Sequence, residues 1–266
     1  MFEKIIDVYV FLFGRVYFQK LNKALYRLSL GGLGVLNYRT SKSSGEKVFL
    51  ENYLKNCSGV LVDVGANQGS YAIEALGICK AMKVYAFEPH PITYVSLAHN
   101  VLRYPNIAAI NKGMSSEIGV LKIYDYPGKD GSSHASLFED VITEIHGAGT
   151  AVAHEVELTT LDEFVQAENI IEINLLKVDT EGNELAVLKG AANSIADRKI
   201  KAIHFEFNEM NVSSRVFFKD FWRLLQDYRL YRLLPNGMIE IRNYSPLGCE
   251  IFAYQNIVAI LKDQLP

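Results

Sequence analysis

Cysteine is scarce: Cys57, Cys79 and Cys249 form an odd, scattered set without a CxxC spacing. That excludes a disulfide framework and a cysteine zinc site, and it fits a reducing, cytoplasmic compartment. Basic clusters that would hold nucleic acid are lacking too. The formal net charge of −3 and a pI near 6.1 supply no general attraction to polyanions, so nucleic acid is not expected as a partner. The N-terminus has neither the roughly 20 apolar residues of a spanning helix nor a basic start with a small-residue cleavage site. Internal repeats and low-complexity tracts are missing. What remains is a chain of 266 residues, 49% hydrophobic and 21% charged, able to bury a sizeable core in one large α/β domain or two small ones.

Residues 1–40 read as a helical arm. Phe2, Ile5, Ile6, Tyr9, Val10, Phe13, Tyr17, Leu21, Ala24, Leu25 and Leu28 follow helical spacing. Val8, Phe11, Leu12 and Phe18 widen the stripe beyond that of a simple surface helix. Glu3, Lys4, Asp7 and Arg15 interrupt it, leaving Val8 to Gly14 as its uncharged run. Such an arm packs on its own domain or on a second subunit, giving a homodimer, or it lies on a membrane surface as a peripheral contact at the inner face.

Residues 41–266 alternate short apolar runs with amphipathic stretches. Val60–Val64, Lys83–Phe87, Ala108–Lys112, Leu175–Val178 and Ala202–Phe207 read as buried parallel strands. Ser70–Ile78, Pro91–Leu102, Leu161–Gln166, Asn183–Ile195 and Ser214–Asp227 read as helices, the last capped by Ser213 or Ser214. This alternation predicts an α/β, doubly wound sheet. Gly119–Tyr126 with the loop after it predicts an inserted hairpin. Tyr231–Leu234, Met238–Arg242 and Asn256–Leu261 predict consecutive strands and hence an antiparallel edge.

The run Val60-Leu-Val-Asp-Val-Gly-Ala-Asn-Gln-Gly69 carries the most information. An apolar strand reaches Asp63, turns through Gly65, Asn67 and Gly69, and opens a helix at Ser70. Glycine, and less readily asparagine, permits the positive φ that brings backbone close to a ligand. The next strand ends in Glu88, about 20 residues on, where a carboxylate accepts from the hydroxyls of a nucleoside ribose. A dinucleotide would require G-x-G-x-x-G, and that spacing is absent. S-Adenosylmethionine carries a sulfonium and no phosphate, so an acidic strand end at Asp63 favours it.

A second acidic cluster lies downstream. Leu175-Leu-Lys-Val-Asp-Thr-Glu-Gly-Asn-Glu184 places Asp179 and Glu181 past a buried strand, and Ala202-Ile-His-Phe-Glu-Phe-Asn-Glu209 does so with Glu206, Asn208 and Glu209. Ligands of open α/β sheets lie outside the carboxyl ends of the strands, so these groups should converge near Asp63 and Glu88. Glu184 and Glu209 read as solvated helix-start residues.

These segments resemble the FkbM-type S-adenosylmethionine-dependent methyltransferases. The matching pieces are Asp63-Val-Gly-Ala-Asn-Gln-Gly69, Phe87-Glu-Pro-His-Pro91, Thr160-Leu-Asp-Glu-Phe164, Leu176-Lys-Val-Asp-Thr-Glu-Gly-Asn-Glu184, Leu188-Lys-Gly-Ala191 and Phe205-Glu-Phe-Asn208. The resemblance spans roughly Ser44 to Leu261 and says least about the arm. It implies a Rossmann-like methyltransferase sheet whose last strand is antiparallel. It also implies O-methylation, typically of a sugar hydroxyl in a glycan, glycolipid or glycosylated natural product. By the same resemblance Asp63, Gly65, Asn67 and Gly69 surround the methionine end of the donor and Glu88 its ribose. Pro89 and His90 border ribose and adenine, and Gly113 and Met114, within Lys112–Ser115, border the adenine.

An aliphatic hydroxyl needs a base or a metal to remove its proton. The candidates are Asp179, with Glu181 or Glu206 as partners, and His134 in the Ser132–Ser136 loop. A divalent ion between Asp179 and Glu206 is conceivable from oxygen-ligand chemistry. Tyr124, Tyr126, Phe138 and the loop around Ser132 are candidates for a sugar-stacking wall. A nicotinamide-dependent oxidoreductase and a non-catalytic, partner-binding relative share the fold and remain as rival readings.

Overall fold

A computed structural model describes the chain apart from residues 56, 129–130, 133–134, 146 and 265–266. Two helices, α1 (Phe2–Phe13) and α2 (Gln19–Gly32), precede a short α3 (Ser41–Ser44) and α4 (Glu46–Leu54). Strand β1 (Gly59–Val64) is followed by α5 (Ser70–Ile78), β2 (Met82–Phe87), α6 (Pro91–Val101) and β3 (Ile107–Ile110). Then come β4 (Gly113–Met114), β5 (Gly119–Asp125) and β6 (Val152–Thr159), which form a separate small sheet in the order β4-β6-β5. The main sheet resumes with α7 (Leu161–Ala167), β7 (Ile173–Val178), α8 (Glu184–Lys189), α9 (Ala192–Ala196) and β8 (Ile200–Phe207). The short α10 (Met210–Ser213), α11 (Phe218–Leu224), β9 (Tyr228–Leu234), β10 (Gly237–Glu240), α12 (Pro246–Cys249) and β11 (Gln255–Leu261) complete it.

The eight main strands lie in the order β10-β9-β11-β8-β7-β1-β2-β3. From β3 to β8 every pairing is parallel. The expected antiparallel edge is formed by β9 and β10, while β11 inserts antiparallel between β8 and β9. Alternation along each strand sends one set of side chains to each face. Val62, Val64, Leu176, Val178 and Phe205 pack with α7, α8 and α11 through Leu161, Leu185 and Phe221. Leu61, Val84, Leu175 and Val258 pack with α4, α5 and α6 through Leu50, Ala72 and Leu97.

Three local readings change. The strand β6 has no counterpart in the expected elements; it pairs antiparallel with β5, so the hairpin closes over a much longer connection than Gly128–Ser136. The helix expected over Asn183–Ile195 breaks at Gly190, where a Cβ would sit 2.1 Å from the Ser115 carbonyl oxygen. Close approach to the β4 segment therefore sets the break. The helix expected from Ser214 starts at Phe218, with Asp220 accepting from the Phe217 N–H at 3.0 Å. Ser213 instead closes α10, and Arg215 at φ 55° turns the chain away before α11.

The arm divides at its end. Helix α1 buries no residue and α2 buries only Leu30, so packing of these helices on their own domain is not what the structure shows. The chain beyond them does dock: Val35 bridges Gln255 of β11, and the Leu36 N–H donates to the Tyr254 carbonyl at 2.8 Å.

Candidate functional site

A cavity of about 600 Å³ opens past the carboxyl ends of β1, β2, β7 and β8. Gly65 and Asn67 follow β1, Glu88 and Pro89 follow β2, and Gly113 and Met114 form β4; all six line the space. So do Asp179, Thr180 and Glu181 after β7 and Glu206, Asn208 and Glu209 from the end of β8 and beyond. The topology thus brings together both clusters expected from the sequence.

Gly65 makes the turn possible. It lies at φ 80°, and a Cβ there would stand 1.7 Å from the Asp179 carbonyl oxygen, so β1 and β7 can meet at this level only through glycine. The Asp179 N–H in turn donates to the Val64 carbonyl at 2.9 Å, which fixes the acidic loop against the glycine turn. Asn67 adopts φ 48° and Gly69 caps α5. Gly69 is close to Leu97 and Val101 of α6 and is not among the cavity-lining residues.

Glu88 is buried, and its two oxygens accept from the backbone N–H groups of Asn67 at 2.9 Å and His90 at 2.8 Å. Each carboxylate oxygen keeps a second acceptor site. Burial pushes its carboxyl up to about 7, against the two N–H groups that favour the ionised form. His90 itself is fully buried, 3.6 Å from Asp125 and edge-on to His154, behind the cavity wall. Asp125 accepts from the N–H groups of Gly131 and Ser132 at 2.7 and 2.8 Å, holding the loop that brings Ser132 to the cavity.

Asp63 also stands behind the wall. It faces α4 and α5, in register with Lys177 of β7 and, through it, His204 of β8. This buried polar row was not read from the sequence. The Lys177 Nζ lies 3.4 Å from Asp179 Oδ2 and 3.7 Å from Glu46 Oε1, contacts between charges that lack hydrogen-bond geometry. Desolvation opposes its charge, but Asp179, Glu46 and Glu206 outweigh it and hold the ammonium well above its usual range. Burial raises Asp63 to about 7, with Lys177 counteracting. His204 bonds Tyr71 and Asn256, each at 2.9 Å, and burial beside Lys177 keeps it neutral.

Glu206 is buried, and desolvation followed by the neighbouring Asp179 charge raises its carboxyl well above the ordinary range. Asn208 donates to it at 3.2 Å. Asp179 is about a third exposed and reaches the cavity. Glu184, expected to be solvated, is fully buried and accepts from Thr180 and Gly182, shaping the Asp179–Gly182 turn; Glu209 is exposed. Burial outweighs those N–H groups and lifts Glu184 to about 7. His134 lies outside the described residues. Among the described residues no group of three or more His, Cys, Asp or Glu side chains is arranged to hold a metal ion. The cation that faces these carboxylates is Lys177.

The aromatic wall also differs from expectation. Tyr124, Tyr126 and Phe138 pack with Val141, Ile142 and Met210 in a small core. The aromatics lining the cavity are Tyr38 and Tyr254, edge-to-face at 5.9 Å. Tyr38 comes from the end of the arm, beyond α2, where no strand or helix pattern pointed to a site.

Three buried carboxyls at about 7 have a measurable consequence. Between the ordinary carboxylate range near 4 and pH 7 the folded protein binds more protons than the unfolded chain, so stability falls as pH rises. Urea unfolding should show a lower midpoint at pH 8 than at pH 5, with an unfolding free energy smaller by at least about 1.4 kcal/mol, the full effect of one group over one pH unit. Equal midpoints would mean that these groups are solvated.

The methyltransferase FkbM domain family matches residues 63–233. Methyltransferase sdnD of Sordaria araneosa is 29% identical over 184 residues, covering 58% of this chain and 71% of its own. Hexuronic acid methyltransferase AglP of Haloferax volcanii is 31% identical over 173 residues, covering 64% and 63%. The 31-O-demethyl-FK506 methyltransferase FkbM of Streptomyces tacrolimicus is 25% identical over 158 residues, covering 51% and 60%. The matched segment therefore spans less than two thirds of the latter two relatives.

Proposed function

Because the chain belongs to the FkbM methyltransferase domain family, we propose that it is an S-adenosylmethionine-dependent O-methyltransferase acting on a hydroxyl, and that the hydroxyl belongs to a sugar in a glycan, glycolipid or glycosylated natural product. The observation that carries the reading is one cavity lined both by Glu88 and by the Asp179–Glu206 pair. The names of two relatives, a hexuronic acid methyltransferase and a 31-O-demethyl-FK506 methyltransferase, support a sugar-like acceptor and an oxygen nucleophile respectively.

The residues present suit the donor. Glu88 offers two oriented acceptor oxygens to a ribose, and Asn67 and Gly65 expose backbone beside it. Pro89, Gly113 and Met114 supply a flat apolar border for a base. When bound, S-adenosylmethionine supplies an electrophilic methyl group whose departure leaves a neutral thioether. The protein's part is positioning and proton removal. Tyr38 and Tyr254 give a sugar ring a face to lie on, and holding the acceptor oxygen in line is the larger share of the acceleration. Glu206 keeps its proton because it is buried beside another carboxylate, which leaves Asp179 as the group that takes the hydroxyl proton. Lys177 holds the Asp179 carboxylate from behind.

Calorimetry with S-adenosylhomocysteine tests the donor end. Glu88→Ala should weaken binding by about 1–3 kcal/mol, the scale for hydrogen bonds to a charged group, while NAD should not bind the wild-type protein. Unchanged affinity in the variant would remove Glu88 from the ribose. For the acceptor, incubation of sugar panels with methyl-labelled donor should give alkali-stable methyl ethers. Label released by mild alkali would identify a carboxyl acceptor instead and refute O-methylation of a hydroxyl.

A further inference from the structure

The arm has surface chemistry that the cavity does not use. In α1, Phe2, Ile5, Val8, Phe11 and Leu12 are each more than half exposed. At 100° per residue, Glu3, Lys4 and Asp7 fall on one side of α1 with Phe11 among them, and the other apolar residues occupy the remainder. In α2, Leu21, Leu25 and Leu28 form an exposed apolar stripe, and Lys20, Lys23 and Arg27 project from the other side. From Val8 to Gly45 the chain contains Arg15, Lys20, Lys23, Arg27, Arg39 and Lys42 and no acidic residue, within a protein of net charge −3.

We propose that this arm docks in the surface of a bilayer bearing anionic headgroups. An interfacial helix needs a broad apolar face, a basic polar face and no ability to span. Both helices carry the apolar face and α2 carries the basic one, and among the described residues no helix is long and apolar enough to cross a membrane. At 12 residues α1 is about 18 Å long, against a hydrocarbon core of about 30 Å. Charge decides between a bilayer and a second copy of the chain. A two-fold interface sets a surface against itself, so the wholly basic stretch from Arg15 to Lys42 would meet a second stretch of the same sign. An anionic surface pairs with it at every position. The bonds from Tyr9 to Asn22 and from Asn22 to the Phe13 carbonyl tie the two helices together, so they can enter the surface as a unit.

Flotation of the full chain with vesicles tests this without reference to the methyltransferase reading. The protein should float with phosphatidylcholine vesicles containing about one third phosphatidylglycerol, at least tenfold more than with pure phosphatidylcholine, and less so at high salt. The double variant F11E/L12E should lose flotation with both, and K20E/K23E/R27E should lose the anionic preference, each with an unchanged unfolding midpoint. Absence of flotation with either vesicle would overturn the proposal. So would a lipid-free dimer in sedimentation equilibrium that F11E/L12E dissolves, since that assigns the face to a second copy.

Discussion

Asp179→Asn is expected to lower turnover by roughly 100- to 10,000-fold, the range supplied by a positioned acid or base, with donor affinity nearly unchanged. The reason lies in how the residue is held. Its N–H donates to Val64 and its carbonyl closes on Gly65, so the backbone position does not depend on the side chain. The side chain alone reaches both the cavity and Lys177. Asn preserves shape and removes the proton acceptor. Single-turnover measurement with a saturating acceptor separates this from weakened binding. Wild-type turnover in the variant would give Asp179 a structural role and transfer the proton step elsewhere.

The second large effect is on stability. Lys177→Met should destabilise the fold by about 3 kcal/mol at pH 8, because removing one member of a buried charge cluster strands the others. Lys177 is almost wholly buried, and Asp63, Asp179, Glu46 and Glu206 all bear on it. The loss should shrink at pH 5. Asp63, raised by burial to about 7, takes up a proton there and no longer needs a cation. Denaturant unfolding at the two pH values reads the difference directly. A loss independent of pH would mean that Lys177 contributes packing rather than charge.

Much of the site is legible in one dimension because its parts sit at strand ends. An apolar run that leads into Asp63-Val-Gly-Ala-Asn-Gln-Gly69, or into Glu88-Pro-His90, announces both a strand and the turn at its end. Parallel strands in turn bring their carboxyl ends to one edge. Gly65, Asn67, Glu88, Pro89, Gly113, Met114, Asp179, Glu181 and Glu206 all reach the cavity for that reason. Asp63 and His90 belong to the same segments but lie behind the wall, because strand alternation and the start of α6 turn them inward. Strand β6 escapes such reading although its residues alternate, since its partner β5 is more than 25 residues away along the chain.

Local patterning, which depends only on neighbouring residues, was enough to determine an α/β sheet, a glycine turn beside an acidic strand end and a second acidic cluster downstream. Register and burial come from pairings between distant segments, and those only the tertiary structure decided. It aligned Asp63, Lys177 and His204 across three strands under α4 and α5, buried Glu184, and brought Tyr38 from the end of the arm to face Tyr254. The charge that a buried lysine keeps, or a buried carboxyl gives up, depends on which groups surround it in space.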